Sequence, residues 1–210
     1  MTRRLIVLDV DSTLITAEVI ELIARRAGTE AEVAAVTDAA MRGQIDFGES
    51  LRQRVATLEG VPDSVFEEVL AEVRLTPGAE NLVSTLQGEG WTVALVSGGF
   101  VEVVAPLAAQ LGIERFRANS LEVADARLTG RTIGPVIDRA AKARVLIEFC
   151  AELGISPADA VAVGDGANDL DMMAAAGLGI AFNAKPVVQQ QADIAVNAER
   201  LDAVLDVIER

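Results

Sequence analysis

Leu5 to Val10 form a short run of branched apolar residues that stops at Asp11-Ser12-Thr13. An apolar run of this length, closed by turn-forming polar residues, predicts a strand buried on both faces and ending in a loop. The period then changes. From Ala17 to about Arg74, apolar residues recur at helical spacing: Val19, Ile20, Leu22 and Ile23; Val33, Val36, Ala40 and Met41; Leu51, Val55 and Leu58; Val65, Val69 and Val73. Gly28, Gly43 and the Gly60/Pro62 pair separate these stretches, so the segment reads as helices with no strand among them.

Beyond this segment the pattern alternates. It predicts a helix from Pro77 to Gln87 with proline in its first turn, a strand over Thr92–Val96 and a helix over Val101–Leu111. Leu121, Val123, Leu128 and Thr132 predict a small β-hairpin turning at Ala124-Asp125-Ala126, without the glycine such turns favour. A helix over Ala140–Leu153, a strand over Ala160–Val163 and a helix over Leu170–Ala176 follow. Short strands at Leu178–Phe182 and Ile194–Val196 and a last helix at Leu201–Ile208 complete the chain. Strands alternating with helices argue for an α/β fold, a Rossmann-like parallel sheet covered on both faces. The core comprises residues 1–13 and 75–210, interrupted by a helical insertion at 14–74.

Composition narrows the function. With 51% apolar residues over 210 positions, the chain can bury a substantial core. Its formal net charge of −14 repels nucleic acid and acidic bilayers, so neither is an expected partner. The absence of histidine excludes Ser-His-Asp and Cys-His catalysis and the HExxH zinc motif. The single cysteine, Cys150, lies on a helical face and allows neither an internal disulfide nor a cysteine-rich zinc site. No apolar run reaches the roughly 18 residues of a membrane span. The N-terminal run is interrupted by Asp9 and Asp11 and is too short for a signal peptide. A cytoplasmic protein is expected.

Ligands of parallel α/β sheets bind at the carboxyl ends of the strands. The polar residues expected there are Asp9-Val10-Asp11-Ser12-Thr13, then Ser97-Gly98-Gly99, then Gly164-Asp165-Gly166-Ala167-Asn168-Asp169. Lys142 stands near the start of a helix. Asp9, Asp11, Asp165 and Asp169 at one edge repel each other unless a cation is present. Donors that are all oxygen suit Mg²⁺. A serine hydroxyl with glycine N–H groups at a helix N-terminus favours a phosphate, and Lys142 adds a point positive charge. Together these are the parts of metal-assisted phosphoryl transfer, in which a carboxylate can itself be the nucleophile.

These four segments, in this order, resemble the four motifs of the haloacid dehalogenase superfamily, and the helical insertion looks like that superfamily's cap. The chain is similar to the phosphoserine phosphatases from end to end, most tellingly at Glu18 and from Met41 to Val55. The resemblance implies that Asp9 is the nucleophile and Asp11 the acid–base catalyst. It implies that Asp9, Asp165 and the backbone carbonyl of Asp11 hold Mg²⁺, with Asp169 supporting the site. Ser97, Gly98, Lys142 and Asn168 would bind the phosphoryl group. Glu18 and Arg54 would hold the amino and carboxylate groups of serine, with Met41 and Phe47 lining the pocket. One acidic and one basic partner do complement an amino-acid head group.

The implied reaction is hydrolysis of O-phospho-L-serine, the last step of serine biosynthesis. Transfer of the phosphoryl group to homoserine or another small alcohol is the alternative. A catalytically silent sensor is disfavoured because both Asp9 and Asp11 are present. Val10 departs from the aromatic residue usual in the family. With the first motif at residue 9, no fused regulatory domain is expected.

Overall fold

A computed structural model of the chain describes residues 4–41 and 44–208, with the side chains of residues 38, 40 and 41 also outside the description. The core is a sheet of seven strands among the described residues: β1 (Leu5–Leu8), β2 (Thr92–Phe100), β3 (Arg115–Ala124), β4 (Arg127–Ile133), β5 (Ala160–Gly164), β6 (Leu178–Phe182) and β7 (Ile194–Val196). Their order is β4-β3-β2-β1-β5-β6-β7. All neighbours are parallel except the β3–β4 hairpin. The chain therefore builds outward from β1 in both directions, a topology whose ligands bind at the carboxyl ends of the central strands, here β1, β2 and β5.

The alternation of side chains along a strand assigns the two faces. Ile6 and Leu8 join one apolar cluster with Leu95, Val163 and Phe182. Leu5 and Val7 join the other with Ala94, Ala160, Ala162 and Ala181. The alanines on this second face leave room for α7 (Arg139–Leu153), which seats Phe149 and Cys150, and for α8 (Leu170–Ala175) and the short α9 (Pro186–Gln189). The first face carries α5 (Ala79–Gly88) and α6 (Val101–Gln110).

Between β1 and β2 the insertion contains α1 (Val19–Ala27), α2 (Glu30–Met41), α3 (Phe47–Ala56) and α4 (Val65–Glu72). Val19, Ile23, Leu51, Val55, Leu58 and Val69 are buried and continue the first apolar cluster. The two chain crossings into the insertion are paired. Ile15 and Leu75 form an antiparallel bridge, Thr16 N–H donates to Arg74 O at 3.1 Å, and Thr76 N–H donates to Leu14 O at 2.9 Å. A second tie runs to the hairpin, where Gly60 N–H donates to Leu128 O and Leu128 N–H to Val61 O, each at 2.8 Å.

Four local expectations are corrected. β1 ends at Leu8, because Val10 to Leu14 form a wide irregular turn. Pro77 is not in the first turn of α5: Gly78, at φ +83°, caps the helix and leaves the proline outside it. β2 runs past Val96 to Phe100. The last segment is a 3₁₀ stretch, Leu201–Asp206, rather than an α-helix. Leu201 and Val204 lie three apart, as do Leu205 and Ile208, and all four are buried, a spacing that suits the tighter helix equally well.

Candidate active site

Strand register delivers the first three segments to one edge. Leu8 pairs with Leu95 on one side and Val163 on the other. Asp9, Ser97 and Asp165 therefore all follow the same level of the sheet, and Asp9 N–H closes onto Val163 O at 2.9 Å. In the turn that follows, Val10, Thr13 and Leu14 are buried anchors. Asp11 swings out at φ −64° and ψ 130°, and Ser12 adopts φ +60°. Left-handed backbone at a non-glycine residue costs energy and must be held by its surroundings. Here Ser12 Oγ donates to Glu18 Oε1 at 2.6 Å, and Ser12 N–H donates to Ala17 O. Asp11 Oδ2 accepts the N–H of Val19 at the start of α1, while Asp11 Oδ1 is buried with no hydrogen-bond partner.

The second segment departs from expectation. Ser97-Gly98-Gly99 does not open a helix: it lies inside β2 as a bulge. Pairing passes from Val96–Arg117 to Phe100–Asn119, so four steps on β2 span two on β3. Such a bulge re-aims the strand. Gly99 N–H points to Ser97 Oγ at 2.8 Å. A Cβ on Gly98 would meet the Phe47 ring at 3.2 Å, and one on Gly99 would meet Asp11 Oδ2 at 3.0 Å. A larger residue at either position would press on these groups.

Lys142 is 0% exposed. Its ammonium donates to Asp9 Oδ1 and, at 2.6 Å, to Asp169 Oδ1. The other Asp169 oxygen accepts Gly166 N–H at 3.0 Å. Thr13 Oγ1 donates to Asp165 Oδ1 at 3.3 Å. Asn168 follows Gly166, whose missing Cβ would lie 2.1 Å from Asn168 Oδ1.

Carboxylates outnumber cations in this cluster, and their proton affinities register it. Burial, then Asp169, pushes Asp9 well above the usual carboxylate range, against the pull of Lys142. Burial and the charge of Glu18 push Asp11 up to about 8. Burial, Asp169 and Glu18 push Asp165 to about 6. Burial alone would lower the Lys142 ammonium, but Asp169 and Asp9 hold it above its ordinary value. Ligand oxygens of Asp9, Asp165 and Asp169 lie within 4.8 Å of one another. Excess negative charge and donors that are all oxygen fit a hard divalent cation. Asp169 has both oxygens engaged, so Asp9 and Asp165 are the side chains best placed to hold it.

Facing this cluster from the insertion are Glu18 and Arg54, both half-buried. Burial lowers the Arg54 guanidinium, countered by the charges of Glu18, Glu21 and Asp11. Arg54 Nε donates to Ser50 O in its own helix. Phe47 lies over Gly98. Met41 ends α2, and its side chain falls outside the described residues. Two buried residues were not singled out from sequence. Thr13 had a signal, since it closes the first segment. Asn119 had none: it sits mid-strand, 1% exposed, and bonds the backbone of both Gly98 and Ile137.

Comparison with known proteins gives a consistent family. The family model for haloacid dehalogenase-like hydrolase matches residues 6–174. A phosphoserine phosphatase of Streptomyces coelicolor is 58% identical over 97% of this chain, which spans 50% of that protein. The chain thus covers about half the length of that relative and of one from Mycobacterium tuberculosis. A phosphoserine phosphatase of Streptococcus thermophilus is 46% identical over 98% of this chain and 95% of its own length. A solved structure of a phospho-aspartyl intermediate analogue of phosphoserine phosphatase superposes with a TM-score of 0.94 at 42% identity, covering 100% of both chains. With aspartates, lysine and serine gathered at one sheet edge in the order of the four motifs, the chain belongs to the haloacid dehalogenase-like hydrolases and, within them, to the phosphoserine phosphatase family.

Proposed function

We propose that this protein is a Mg²⁺-dependent phosphomonoesterase that hydrolyses O-phospho-L-serine to L-serine and phosphate. The observation that carries the proposal is the buried Asp9–Lys142–Asp169 cluster beside Ser97, faced by Glu18 and Arg54. The family it belongs to supports the substrate.

In this reading an Asp9 carboxylate oxygen attacks phosphorus, and the bond from phosphorus to the serine oxygen breaks. Asp11 gives the departing oxygen a proton and later takes one from the water that hydrolyses the aspartyl phosphate. The unpartnered Asp11 Oδ1 suits a proton carrier. Ser97, the Gly98–Gly99 backbone, Lys142 and Asn168 bind the phosphoryl oxygens, and Lys142 holds Asp9 in place. A divalent cation on Asp9, Asp165 and the Asp11 carbonyl would offset the charge of carboxylates and phosphate together. Asp169 orients Lys142 through one oxygen and the Gly166 amide through the other.

Glu18 would take the substrate ammonium and Arg54 its carboxylate, with Phe47 and Met41 walling the pocket. The division into a core of residues 1–13 and 75–210 and a cap of residues 14–74 belongs to the same proposal. The paired crossings at Ile15–Leu75 and Leu14–Thr76 support it, since the chain enters and leaves the insertion side by side. Release of L-serine and phosphate in equal amounts from O-phospho-L-serine, with homoserine present, tests the function. Phosphohomoserine as the product would replace hydrolysis with transfer.

A further inference from the structure

The geometry points to Asn119, a β3 residue outside every motif, as the positioning residue of the phosphoryl cradle: it sets the plane of the Gly98–Gly99 peptide. The inference rests on the phosphatase reading above. Asn119 Nδ2 donates to Gly98 O at 2.8 Å, and its Oδ1 accepts Ile137 N–H at 2.8 Å. Asparagine is disfavoured in strand interiors, and a buried amide is costly unless both ends are bonded. This one bonds two backbone groups from two different segments.

The first bond replaces a missing ladder bond. The β2–β3 pairing skips from Val96 to Phe100, so Gly98 O lies in the bulge, and Asn119 supplies its donor. In a trans peptide the C=O and the following N–H point in opposite directions. Holding Gly98 O on the Asn119 side turns Gly99 N–H the other way, where it meets Ser97 Oγ. The two flanking glycines leave this peptide free to rotate unless something holds it. The second bond fixes Ile137, next to Asp138, whose carboxylate caps α7 by accepting Ala141 N–H at 2.7 Å. Lys142 follows in the first turn of that helix. One side chain thus holds in register the two segments that present Ser97 and Lys142.

Asn119→Asp keeps the size and the acceptor for Ile137 but removes the donor to Gly98; Asn119→Ala removes both. We expect kcat/KM for p-nitrophenyl phosphate and the affinity for inorganic phosphate, with Mg²⁺ present, to fall by the same factor, about tenfold or more. O-phospho-L-serine should lose kcat/KM by that factor too. Competitive inhibition by L-serine should stay within about twofold, since serine does not use this peptide. Variants that melt earlier yet bind phosphate as the wild type does would overturn the inference and leave only a structural role. In the wild-type protein, saturating inorganic phosphate should shift the Gly99 amide resonance. An unshifted Gly99 amide overturns the inference whether or not either variant folds. A wild type that cleaves p-nitrophenyl phosphate but not O-phospho-L-serine would sink the substrate reading and leave Asn119 intact.

Discussion

The carboxyl edge of the sheet and the helical insertion handle charge in opposite ways. At the edge, Asp9, Lys142 and Asp169 are buried, Asp11 and Asp165 are half-buried, and nearly every one of these groups is bonded. Lys142 lies between Asp9 and Asp169, Asp169 also takes the Gly166 amide, and Thr13 holds Asp165. In the insertion, charges pair on the surface: Arg25 with Glu72, Arg26 with Glu68 and Glu72, and Arg52 with Glu49. Exposed pairs of that kind contribute little to stability, whereas breaking a buried pair leaves an uncompensated charge. Glu18 and Arg54 lie between these extremes. The proposed function turns this difference into a division of labour, in which the edge performs chemistry with fixed charges and the insertion selects substrate through Glu18 and Arg54.

The sharpest way to break this division is to remove the cation. Excess chelator should abolish turnover of O-phospho-L-serine and p-nitrophenyl phosphate alike, with activity restored by Mg²⁺. Full activity in chelator would show that the edge works without a metal. Asp9→Asn should come next, lowering kcat on both substrates by on the order of 10⁴-fold, about 5 kcal/mol in barrier, in a folded protein. Retention of a tenth of wild-type kcat would remove Asp9 as nucleophile.

Arg54→Ala tests the other half of the division. It should lower kcat/KM for O-phospho-L-serine by about 2–4 kcal/mol, the range for a lost charge-assisted pair in a desolvated site. p-Nitrophenyl phosphate, which has no carboxylate for Arg54 to bind, should change little. Equal losses on both would make Arg54 a support of the fold. The smallest effect belongs to Asp46, whose side chain accepts Glu49 N–H at 2.8 Å and caps α3, the helix that carries both Phe47 and Arg54. Asp46→Ala should cost about 1 kcal/mol of stability in thermal unfolding. It should disturb O-phospho-L-serine more than p-nitrophenyl phosphate.

Local pattern carried far in this chain. The branched run before Asp9, the helical spacing from Val19 to Val73 and the alternation after residue 75 each correspond to observed elements. Ordering by short-range periodicity suffices there, because burial of one face or both leaves its period in the sequence. Where backbone geometry departs from the regular period, prediction failed. Ser97-Gly98-Gly99 reads as a turn into a helix, since two glycines suit either a turn or a bulge, and only the offset of β3 against β2 selects the bulge.

From residue types alone came the absence of histidine chemistry, the surplus of carboxylates and the alignment of polar segments with strand ends. The tertiary structure alone decided how those charges are held. Lys142 meets Asp9 across 133 positions and Asp169 across 27, and Thr13 meets Asp165 across 152. Asn119 reaches Gly98 across 21. A lysine on a helix and an asparagine on a strand leave no periodic trace of such partners. Their energies depend on burial and on distance through space, and both are set only when β1, β2, β3, β5 and α7 close around the same edge.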